Sequence, residues 1–194
     1  MNPVMLQTIR LSALLLLFGG HILIAQPKPG AKEHLYGLEL QAYPAGFIVA
    51  LSHERFVSPN TSWLFRVGTN STDRQDFSTE NDRENGWGVG ASGGYRKYVA
   101  LKRNTLVFGL HTDMWNLWID WENHPTSNRP TSGTSFVLVL QPWVEAGYIF
   151  IPTSSRSRIG LSLGFGREFN VVTNGRDVEQ DWIGSLIFRY QFSL

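Results

Sequence analysis

His111 and Asp113 stand two residues apart in an alternating segment, a spacing that puts both side chains on one face of a strand. A histidine beside a carboxylate is the pair that a general base and its orienting group would use. Such catalysis also needs a nucleophile, and the neighbours of matching parity, Gly109 and Trp115, supply none. Ser92 and Ser185 are serines whose parity admits them to an enclosed face. The other chemistry on offer is electrostatic. Glu39, Arg66, Arg96, Asp113, Glu145, Glu168 and Arg189 sit opposite apolar neighbours, with His111 beside them. Enclosed together, these charges must pair carboxylate to guanidinium, because a lone buried charge is expensive. Paired in this way, they make either a selective narrow path or a filling that closes it.

The elements that would enclose them are strands. From Trp182 to Leu194, one parity reads Trp182, Gly184, Leu186, Phe188, Tyr190, Phe192 and Leu194, while the other carries Arg189 and polar groups. Similar alternation recurs over His34–Tyr43, Phe47–Val57, Ser62–Asn70, Gly86–Val99, Thr105–Glu122, Ser135–Ile151, Arg158–Val171 and Asp181–Leu194. Strand 2 fits least well, since Phe47, Val49 and Leu51 share their parity with His53 and Arg55. Those two belong at a rim, where an outward charge costs little. Short links (Ser58 to Thr61, Ala100 to Asn104, Pro152 to Ser157) alternate with longer polar ones (Asn70 to Asn85, Asn123 to Thr134, Val172 to Gln180). Only Pro44-Ala45-Gly46 is short where a long loop is due. Tight turns at one end and loops at the other are what a membrane barrel requires.

Glycines at inward positions suit eight strands, whose lumen is only just wide enough for side chains. Pro142 lies inside strand 6 and marks a bulge or gap in its ladder. Trp63, Trp87, Trp118, Trp121 and Trp182 fall near strand ends, where indoles favour a membrane interface.

Residues 1–25 read as a secretory signal: Arg10, an apolar run from Leu11 to Phe18, then Ala25 before Gln26. Residues 26–33 follow as a short extension, and 34–194 as the barrel. With no cysteine, neither a disulfide nor a lipidated cleavage site exists. The chain holds 17 basic and 16 acidic residues, and losing Arg10 with the signal balances them. A neutral surface argues against nucleic acid as a partner. Acidic residues gather in the long links (Asp73, Asp76, Glu80, Asp82, Glu84; Asp177, Glu179, Asp181), where a basic partner from outside would dock. No calcium-loop spacing is present, so neither metal nor cofactor is expected.

On these residues the chain resembles the small eight-stranded outer-membrane barrels of Gram-negative bacteria. Gly184, Phe188, Tyr190 and Phe192 look like the terminal signal read by the barrel assembly machinery, followed here by Ser193 and Leu194. Trp87-Gly88-Val89-Gly90 and Asp113-Met114-Trp115-Asn116-Leu117-Trp118 are similar to stretches of the lipid A palmitoyltransferase barrel. In that likeness Asp113 matches a catalytic aspartate, whereas Met114 and Leu64 replace the serine and the histidine. The expected fold is all-β, an antiparallel up-and-down transmembrane barrel of eight strands after a signal peptide. The expected role is non-enzymatic: membrane stabilisation, surface interaction or narrow solute passage, with outer-membrane lipids around it. Two rivals stand beside it. One is an enzyme of lipid A or phospholipid acyl chemistry; the other is a secreted soluble barrel with Phe188 and Tyr190 turned inward around an apolar ligand.

Overall fold

Side chains that alternate in polarity cannot all be satisfied in one solvent, so each strand must separate two environments. The computed structural model describes residues 33–74, 80–101, 104–124, 131–152 and 156–193. The expected signal segment, Asp76, Lys102, Arg103 and Leu194 lie outside them. The described residues form β1 (His34–Tyr43), β2 (Gly46–Ser58), β3 (Thr61–Arg74), β4 (Arg83–Ala100) and β5 (Asn104–Asn123). There follow β6 (Thr131–Phe150), β7 (Ser157–Arg167), β8 (Phe169–Asn174) and β9 (Trp182–Ser193).

From β1 to β7 each strand pairs antiparallel with the next, β7 pairs with β9, and β1 pairs with β9 from Leu35–Ser193 to Ala42–Leu186, which closes the ring. The wall has eight staves, because β7 and β8 both pair with β6 and only Glu168 separates them. Pairing lapses opposite Gln141 and Pro142, where proline offers no amide hydrogen to the ladder. Stave length is uneven. β1 has 10 residues, whereas β5 and β6 have 20 each and pair along their whole length. The tight turn between β1 and β2 works because Gly46 holds φ at 153°. A Cβ there would also lie 1.9 Å from the Ser71 carbonyl oxygen.

The faces sort as the alternation requires. Leu51, Leu110, Leu163 and Phe188 are exposed on the outside, and every strand adds large apolar residues to that belt. A water-soluble protein exposes apolar patches of only about 300–600 Å². Arg66, Glu145 and Arg189 are buried inside, as are Leu64, Val107 and Trp143. The soluble rival is therefore overturned: Phe188 and Tyr190 point out.

One expectation needs correcting, at Trp121, and the lumen carries more than charge. Leu35, Phe56, Tyr98, Val107 and Ile149 form an apolar layer at the end where β1 begins and β9 finishes. Ile48, Trp115, Leu117, Ile119, Val137 and Val139 form a second layer toward the loop end. Trp121 differs from the other four interfacial tryptophans, since it shares the inward parity of Trp115 and Ile119 and is half-buried.

Candidate functional site

Every one of the eight staves sends a charged group into the lumen, because each such residue occupies an inward position of the alternation. The largest cluster centres on two carboxylates. Glu39 on β1 accepts from Arg66 on β3, and the Arg189 Nε on β9 donates to it at 2.6 Å. Glu145 on β6 accepts from Arg189 at 2.9 Å, from Arg96 at 3.1 Å and from the Ser162 hydroxyl at 2.7 Å. Glu54 on β2 then extends the chain of contacts. It accepts from Arg96 at 2.9 Å and Gln191 at 2.8 Å, and also from Ser62 and Tyr98. These side chains are buried, so each charge depends on its partners rather than on water.

Asp113 lies midway along β5, directly opposite Ser92 on β4. Its Oδ1 accepts from Arg66 Nη2 at 2.7 Å, from Ser92 at 2.5 Å and from the Trp143 indole at 2.8 Å. The His111 Nε2 contacts Glu145 Oε2 at 2.9 Å, and its ring stacks on Trp143 with centroids 4.1 Å apart. The two members of the candidate dyad thus turn to different partners. His111 joins Glu145, and Asp113 joins Arg66. Ser92 does meet Asp113, but it does so within an enclosed cluster where the same oxygen already faces a guanidinium. Ser92 and Asp113 are both buried, and that contact is part of the enclosed cluster.

Space for the His111 ring comes from Gly94, its partner across β4 and β5. A Cβ on Gly94 would lie 1.9 Å from His111 Nδ1. Gly94→Ala is expected to destabilise the barrel by about 1–3 kcal/mol through overcrowding. Adding His111→Ala should restore most of that loss, measured as urea midpoints of the single and double variants. A double variant no better than the single one would place the strain elsewhere.

Glu168 does not belong to this cluster. With Arg74 and Glu84 it forms a second one at the loop end, beyond the apolar layer. Arg74 donates to Glu168 at 2.7 Å and to the Glu179 carbonyl oxygen at 2.8 Å. Asn81 donates to the Asp177 carbonyl oxygen at 3.1 Å, and Val178 is buried in the apolar layer. Residues 175–181 are thereby drawn down over the mouth. Glu54 and Arg74 are members that sequence reasoning passed over, and Glu84, expected among the exposed acids of a long link, is instead buried on β4. Inward parity alone marks Glu54, whereas Arg74 and Glu84 lie where β3 and β4 continue past the apolar alternation.

On the outer face of β9, Phe188, Tyr190 and Phe192 are exposed, and Gly184 occupies the same face. Among the described residues, no group of three or more His, Asp or Glu side chains is arranged to hold a metal ion.

No family model and no curated protein matches the chain. Solved structures do. Neisserial surface protein A aligns with a TM-score of 0.52 at 10% identity, over 84% of this chain and 96% of that one. A major outer membrane protein from Thermus thermophilus aligns with a TM-score of 0.52 at 14% identity, over 84% of this chain and all of that one. At such identities the likeness is one of fold: the chain has the fold of the small eight-stranded outer-membrane barrels.

Proposed function

We propose that this protein is a closed outer-membrane barrel that neither conducts solutes nor catalyses a reaction. One observation carries the proposal: a paired charge cluster sealed between two apolar layers, with residues 175–181 over the loop-end mouth. A filled lumen holds the wall rigid, which leaves the lipid-facing belt and the loops as working surfaces. Residues 1–25 serve as the export signal, 26–33 as a short extension, and Phe188, Tyr190 and Phe192 with Gly184 as the mark for the assembly machinery. The end where β1 begins and β9 finishes is then periplasmic, and the acidic loop end meets extracellular partners. Stabilising the membrane and making surface contacts are the roles this arrangement supports.

Purified protein in planar bilayers should give no discrete conductance steps. Steps that change when Arg66 or Glu145 is neutralised would restore the pore reading. The contact between Ser92 and Asp113 is the observation that keeps the lipid-enzyme reading in view. Deleting the protein should leave the lipid A mass spectrum unchanged, and a gained or lost acyl chain would overturn the non-enzymatic assignment.

A further inference from the structure

The outer wall is not evenly padded. On β6, Ala146 faces outward between Phe108 of β5 and Leu163 of β7, its partners in register. Those neighbours stand well out, with Phe108 at 49% and Leu163 at 65% exposure, and Leu110 and Phe165 extend the two walls. The missing side chain therefore opens the floor of a groove of about 560 Å³ across four staves. That volume falls inside the roughly 300–1,000 Å³ of ordinary ligand sites. At its edge lies Lys97, opposite Phe108 in the pairing of β4 with β5.

Lys97 is exposed on the outer face, three residues from the end of β4 at Ala100. A lysine among acyl chains is strongly unfavourable at mid-bilayer and tolerated near the interface. Its methylene stem can lie along Phe108 while the ammonium reaches headgroup level. An apolar slot with one cation at its interfacial end complements a molecule built the same way, with a hydrocarbon tail and an anionic head. We propose that the groove over Ala146 holds one acyl chain of an inner-leaflet glycerophospholipid whose phosphate pairs with Lys97. This rests on the outer-membrane placement proposed above. A second copy of the chain fits less well, because the exposed acids Asp73, Asp120 and Asp181 lie at the opposite end of the wall from Lys97.

The test is native mass spectrometry of the full-length barrel released from nanodiscs of phosphatidylethanolamine and phosphatidylglycerol. The parent should keep one phospholipid. Ala146→Phe, which fills the floor, should cut the bound fraction by at least about tenfold. Lys97→Gln should cut it about fivefold, the effect of one basic group at an anionic surface. Ala91→Phe puts the same bulk on the outer face of β4 away from the groove and should change nothing. Equal retention by the parent and Ala146→Phe overturns the proposal, as does equal loss from Ala91→Phe, or retention only of detergent or a fatty acid without phosphate. Membrane fractionation of the same strains separates the two readings. A barrel found in the soluble fraction refutes the outer-membrane placement, whereas a membrane-bound barrel without phospholipid refutes the groove alone.

Discussion

Replacing Arg66 with methionine is expected to cost about 3–5 kcal/mol of stability, read from urea unfolding of the barrel in phospholipid vesicles. Arg66 is the cation that both Glu39 and Asp113 contact. Without it, Glu39 keeps Arg189, but Asp113 retains only the neutral donors Ser92 and Trp143. Four carboxylates (Glu39, Glu54, Asp113 and Glu145) would then share Arg96 and Arg189 in a site closed to water. The cost comes from stranded charge rather than from lost attraction, and a compensated variant makes the distinction. Glu39→Gln, Arg66→Met and Asp113→Asn together leave Glu54 and Glu145 facing Arg96 and Arg189. That triple variant should lie within about 2 kcal/mol of the parent, closer than the single one. A single variant that loses less than about 1 kcal/mol would mean that water reaches the cluster and the lumen is not sealed.

Val67→Arg is expected to cost about 2–4 kcal/mol, while Val57→Arg should cost no more than about 1 kcal/mol. Both valines are exposed on the outer face, at 59% and 51%. They differ in depth, because Val67 lies at the middle of β3 and Val57 at the end of β2. In water, two exposed valines would give the same small change, within about 0.5 kcal/mol. A steep dependence on depth arises only where the surrounding solvent changes from hydrocarbon to headgroup. Folding titrations of the two variants into vesicles should separate them clearly, and equal midpoints would place the wall in a uniform solvent.

The wall was legible in the sequence wherever lipid acts on one side of it. β1 and the inward and outward sets of β5, β6, β7 and β9 follow from alternation alone, since the outward residues there are mostly apolar. The pattern fades where strands rise past the apolar belt. Ser71, Thr72 and Asp73 continue β3, and Thr131 to Thr134 begin β6, with polar residues on both faces. Nothing in their composition distinguishes a strand in water from a loop. Arg74 and Glu84 were hidden for the same reason, and with them the cluster that holds residues 175–181. The layered lumen was hidden differently. Trp115 and Leu117 have the right parity for the interior, yet parity says nothing of height, and height is what separates an apolar layer from a charged one.

The uneven staves bear on how the wall holds together. At about 3.3 Å per residue, the 10 residues of β1 run about 33 Å, and the 20 of β5 and β6 about 66 Å. A tilted strand needs about 9–11 residues to cross the hydrocarbon, so β1 has no length to spare while the opposite flank rises as a fin. β1 therefore just spans the hydrocarbon, while β5 and β6 continue well past it into water. The short flank coincides with the closing seam, held by 8 register pairs against 20 between β5 and β6. The line where the first and last strands meet has the fewest pairs of any seam in the wall, and there the cylinder is expected to part first.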